Sequence, residues 1–89
     1  MNRRKRRRRA TPKVVERPLG RERARGQAIA LYNLIEIDPR QTERARLNTL
    51  IHEALHLGDW GLSETKVIKL SGKVASVLWA QGYRRPNRA

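Results

Sequence analysis

The sequence predicts a small α+β protein: a β-hairpin or pair of short strands, followed by two antiparallel helices. Three observations carry this. Ile35 and Ile37 alternate with Leu34, Glu36 and Asp38, the period-two pattern of a half-buried strand. Leu47, Leu50, Ile51, Ala54 and Leu55 recur at helical spacing, and so do Val67, Leu70, Val74, Val77 and Leu78. Between these two runs, "GDWGLS" at 58–63 supplies a turn and a new helix cap.

The chain begins with a different composition. Residues 1–26 hold 12 Lys/Arg against Glu16 and Glu22, a net of +10, whereas residues 27–89 hold 9 Lys/Arg against 6 acids, a net of +3. Arg3, Arg4, Lys5, Arg6, Arg7, Arg8 and Arg9 form an unbroken basic run, and Pro12, Pro18 and Gly20 follow. Too little apolar surface stands there to offset the entropy of ordering. The expected division is therefore a disordered basic arm over 1–25 and a folded domain over 26–89, with "KVV" at 13–15 only a weak strand candidate. Clustered arginines neutralise phosphates, so nucleic acid is the expected partner of the arm. The arm lacks aromatics for stacking on bases and an apolar face for entering a lipid surface. No membrane partner is expected. An apolar stretch is missing where an export signal would need one, and the expected location is cytoplasmic.

In "GQAIALYNLIEIDP" (26–39), Ala28 to Leu31 reads as one strand, Tyr32-Asn33 as the turn, and the Ile35/Ile37 run as the second strand. A helix over 28–37 competes, but the β-branched residues and the stop at Asp38-Pro39 favour strand. "DPRQ" at 38–41 then reads as a helix start, with Asp38 as N-cap, Pro39 at N1 and Gln41 at N3. Gly58 is the expected stop. Ser63 caps the last helix, which runs to about Gln81 and ends at Gly82. Ser71-Gly72 lowers its propensity by about 1 kcal/mol and leaves a small surface that another helix can approach.

Within the first helix stands "HEALH" (52–56), which contains both histidines of the chain. Residues four apart lie on one helix face. Two imidazoles so placed can bind one metal ion, with the intervening Glu53 as a base for water at that ion. His52 and His56 each fall one step past the apolar stripe, at its edge, and so are expected to face a cleft. A catalytic zinc site takes three protein ligands. Glu64, opening the second helix, is the favoured third ligand, Asp59 is the runner-up, and Glu36 and Asp38 are more distant candidates. The metzincin pattern HExxHxxGxxH is not met, because Asp59 and Leu62 stand where its glycine and third histidine belong. Tyr32 and Tyr83 are candidate oxyanion donors, and the strand ending at Asp38 is a candidate edge for an extended substrate. A folded part of about 60 residues is marginal by hydrophobic burial alone. The chain has no cysteine, so a bound ion is a reasonable source of folding free energy.

The stretch "IEIDPRQTERARLNTLIHEALH", followed by "LSETKV" and "LWAQGYRR", resembles a group of very small, mostly phage-borne HExxH proteins. These are related in pattern to the gluzincin and SprT-like zinc metallopeptidases, and the likeness covers about residues 26–85. It implies a minimal zincin-like core with one zinc held by His52, His56 and Glu64. It also implies Glu53 as general base and a peptide or protein substrate. Two classes of function follow. One is a minimal zinc metallopeptidase, held near nucleic acid by its arm. The other is a basic nucleic-acid-binding protein whose zinc is structural. Glu53 separates them, since a structural site needs the histidines but no glutamate beside the first, and normally has four protein ligands.

Overall fold

The computed structural model describes residues 10–20 and 24–86. Three four-residue strands form one sheet: β1 (Lys13–Glu16), β2 (Gly26–Ile29) and β3 (Leu34–Ile37). Two helices follow, α1 (Glu43–Gly58) and α2 (Glu64–Ala80), completing an α+β arrangement. Glu64 at the start of α2 meets His56 near the end of α1, and Arg85 beyond α2 meets Glu43 at the start of α1. The helices therefore run antiparallel.

The strand order is β1-β3-β2, with β1 parallel and β2 antiparallel to β3. The Ile35/Ile37 strand is thus the centre of the sheet, flanked on both sides, and has no free edge for a substrate. Its alternation is as expected: Ile35 and Ile37 are buried, Leu34 and Glu36 half-buried. The preceding strand starts earlier than expected, at Gly26, and ends at Ile29. Ala30–Tyr32 form a 3₁₀ turn and Asn33 takes a left-handed conformation, φ 49°, which its short polar side chain tolerates.

The expected boundary between arm and domain at residue 25 is corrected by β1, which pairs with β3 from Lys13↔Leu34 to Glu16↔Ile37. Three residues later Leu19 is fully buried, and its N–H donates to Asp38 Oδ2 at 2.8 Å. Composition misled here. One leucine and two valines amid arginines look too sparse to fold, yet β3 supplies the ladder and Ile35, Ile37 and Val67 supply the remaining core.

Asp38 does not cap α1. Its carboxylate is taken by the Leu19 N–H, by the Arg40 N–H in an Asx turn, and by the Arg40 guanidinium at 2.8 Å. The cap is Thr42, whose hydroxyl accepts from the Ala45 N–H at 3.1 Å. Gln41 instead ties the approach to α1, donating to the carbonyls of Arg25 and Asp38 and accepting from the Thr49 hydroxyl. Ser63 caps α2 as expected, and Gly82 follows it at φ +86°.

α1 packs on β2, β3 and α2. Leu47, Leu50, Ile51 and Leu55 are half-buried and Ala54 is exposed. The buried face of α2 also differs from the expected one. Val67, Ser71 and Ala75 are buried, whereas Leu70, Val74 and Val77 are exposed. Small side chains one turn apart let two helices approach closely. The face of α2 that meets the rest of the protein is thus the one that carries Val67 and the small Ser71 and Ala75. Among the described residues no helix is long and apolar enough to cross a membrane.

Candidate metal centre

The close packing of α1 and α2 brings the end of one helix to the beginning of the next. His52 and His56 lie one turn apart on α1, ring centroids 5.0 Å apart and edge to face at 63°. Glu64, the first residue of α2, spans both: Oε2 lies 3.2 Å from His52 Nε2, and Oε1 lies 2.9 Å from His56 Nε2. The ligand atoms of His52, His56 and Glu64 all fall within 4.8 Å of one another. Tetrahedral bonds of 2.0–2.1 Å place ligand atoms about 3.3–3.5 Å apart. The three donors therefore converge on the scale that one ion requires. Two imidazoles and a carboxylate suit borderline divalent metals.

Of the alternatives for the third ligand, none joins the triad. Asp59 accepts from the Gly61 N–H at 3.0 Å and serves the turn between the helices. Glu36 is occupied by Arg17 and Gln27, and Asp38 by Leu19 and Arg40. Hydrogen bonds from Arg17 and Gln27 hold the Glu36 carboxyl below its ordinary range, and those from Arg40 and Leu19 hold Asp38 well below it.

Glu53 is the outlying member of the set in a physical sense. Its side chain is buried, it lines the same cleft as His52 and Glu64, and no hydrogen bond or ion pair reaches its carboxylate among the described residues. Burial pushes its pKa up, opposed by the neighbouring His52 and His56. A buried carboxylate without a partner is costly for stability, and such groups concentrate at functional sites.

The cleft measures about 690 Å³ and lies between the start of β2, one face of α1 and the first turns of α2. Gly26 sets its floor. A Cβ on this residue would stand 2.6 Å from the Thr49 methyl and 3.3 Å from Glu53 Cγ. Only glycine lets β2 come this close to the helix beside Glu53. Sequence reading placed Gly26 at a domain boundary and gave it no role; its position three residues after Arg23, opening an apolar run, carries no signal of the contact. The tyrosines go elsewhere. Tyr32 is exposed on the 3₁₀ turn, and Tyr83 lines a separate groove with Trp79 and Arg84. Arg3 to Arg9 lie outside the described residues. No family model, curated protein or solved structure matches the chain.

Proposed function

We propose that the protein is a zinc-dependent metallopeptidase of minimal size, with His52, His56 and Glu64 as metal ligands and Glu53 as general base. The single observation that carries this reading is the buried Glu53 carboxylate, which has no hydrogen bond or ion pair among the described residues, stands next to His52 of the candidate triad and lines an open cleft. A site that only stabilised the fold would gain nothing from it. The bound ion would supply Lewis acidity, polarising a carbonyl and easing deprotonation of water.

The residues of the chain supply the rest. Glu53, with its proton affinity raised by burial, accepts the proton of the attacking water and delivers it to the leaving amine. α1 holds Glu53 and both histidines on one rigid element, so their mutual placement costs no ordering at the moment of reaction. β2 occupies one edge of the sheet and opens beside the cleft. It therefore replaces β3 as the strand on which an extended peptide can pair. The basic run Arg3–Arg9 is proposed to hold the enzyme near nucleic acid by phosphate neutralisation.

The test is cleavage of a peptide library by zinc-loaded wild type and by Glu53→Gln. Wild type is expected to cleave and Glu53→Gln to lose activity by at least about a hundredfold while retaining zinc. Equal cleavage by both proteins would remove Glu53 from the mechanism. Zinc bound by both with no cleavage by either would favour a structural site.

A further inference from the structure

The cleft is charged unequally along its length. Its carboxylates, Glu53 and Glu64, lie at the histidine end. Toward the start of α1 it is lined by Arg25 and Arg44. Both guanidinium groups belong to exposed residues, and neither pairs with a carboxylate among the described residues. This separates them from the arginines nearby, for Arg40 is bound to Asp38, and Arg46 and Arg85 to Glu16. Among the described residues, the five acids outside the cleft's histidine end (Glu16, Glu36, Asp38, Glu43 and Asp59) are held by arginines or turn N–H groups, and none of them pairs with Arg25 or Arg44.

The spacing gives these charges a distance from the reacting centre. Arg44, Asn48 and His52 follow one another at intervals of four on α1, so they share a face. Eight residues of helix place Arg44 about 12 Å from His52 along the axis. An extended peptide covers about 3.3 Å per residue, so three or four residues separate a bond at the triad from a side chain at Arg44. Arg25 precedes Gly26, where β2 begins, and faces the same end of the cleft. A second depression of about 570 Å³ shares Arg25, Thr42 and Ala45 with the first, which leaves room for chain beyond that point.

We propose that Arg25 and Arg44 form an anion subsite that selects peptides carrying Asp or Glu three or four residues from the scissile bond. The proposal rests on the metallopeptidase reading above. With one divalent ion bound, the charges of Glu53 and Glu64 are offset, and the two arginines leave the cleft positive. Two guanidinium groups can bind a carboxylate from both sides, and their charge also speeds encounter with an acidic chain.

The test uses full-length, zinc-loaded Glu53→Gln, which binds without turning over, and two fluorescent peptides. One carries Glu four residues from its centre and the other Gln at that place. Fluorescence anisotropy is expected to show about tenfold tighter binding of the Glu peptide. Adding Arg25→Gln and Arg44→Gln should abolish the preference, while adding Lys69→Gln and Lys73→Gln, which removes equal charge on α2, should preserve it. The proposal is overturned if the preference survives loss of both arginines, or if the lysine pair reduces it equally. It is also overturned if the arginine pair weakens binding of a single-stranded oligonucleotide more than of the Glu peptide, which would assign the subsite to phosphates. The two readings fail separately. Wild type that needs Glu53 but cleaves Glu and Gln peptides with equal kcat/KM keeps the peptidase and overturns the subsite. Arginine-dependent binding of the Glu peptide, with no cleavage by wild type, supports the subsite and removes the peptidase.

Discussion

Glu53, the proposed base, is expected to cost stability when its buried carboxylate is charged. Its carboxylate is buried with no hydrogen bond or ion pair among the described residues, and its raised pKa arises first from that burial. Replacing it by the neutral isostere removes the cost of a buried charge. Glu53→Gln is therefore expected to melt about 4–8 °C higher than wild type at pH 7 when both proteins are metal-free, which corresponds to about 1 kcal/mol in a domain of this size. Calorimetry or circular dichroism checks it, and an unchanged or lower Tm would mean that the carboxylate is better solvated than its burial indicates. Gly26 is expected to act oppositely. A methyl group there meets the Thr49 methyl at 2.6 Å, so β2 or α1 must shift. Gly26→Ala should lose about 1–3 kcal/mol and should lower kcat in protein that still holds its full zinc. Unchanged Tm and kcat would show that the strand can move away freely.

The elements were unequally legible in the sequence, and the reasons are physical. α1 and its histidine pair follow from a local rule, the helical repeat, so the geometry of two candidate ligands could be read directly from "HEALH". Glu64 followed from the short connection between the helices. β1 depended on a partner twenty-one residues away, Lys13↔Leu34, and nothing within "KVVE" announces that partner. The face of α2 was misassigned because hydropathy ranks Leu70 and Val74 above Ser71 and Ala75, while close helix packing prefers the small residues. The apparent arm therefore contains part of the core. Leu19→Ala is expected to cost about 2–5 kcal/mol, read by chemical denaturation. Deletion of residues 1–25, which removes β1 and Leu19, should abolish the cooperative transition. A truncated chain that still melts cooperatively would restore the boundary at residue 25.

At the scale of the whole molecule, ion pairs tie distant parts of a small core. Glu16 of β1 binds Arg46 of α1 at 2.7 Å and Arg85 beyond α2 at 2.9 Å, and Arg85 also binds Glu43. Arg46 holds the Glu16 carboxyl below its ordinary range, as Arg40 does for Asp38. Carboxyls depressed in the folded state stabilise it above their unfolded pKa, near 4, and lose that contribution as pH falls through the folded value. The contribution of these ion pairs should therefore be constant from pH 7 to about pH 5 and be lost below pH 4. Asp38→Asn should melt lower than wild type at pH 7, with the gap narrowing as pH drops below 4. A gap that stays constant with pH would show that Asp38 acts through shape alone.

The candidate metal centre unites these scales, because its three potential ligands come from the facing ends of two packed helices. The most direct measurement is the zinc content of purified wild type, His52→Ala, His56→Ala, Glu64→Ala and Asp59→Ala. About one zinc per chain is expected for wild type and Asp59→Ala, with zinc lost from both histidine variants and strongly reduced in Glu64→Ala. Wild type without zinc, or full zinc in Glu64→Ala with loss in Asp59→Ala, would contradict the site described here.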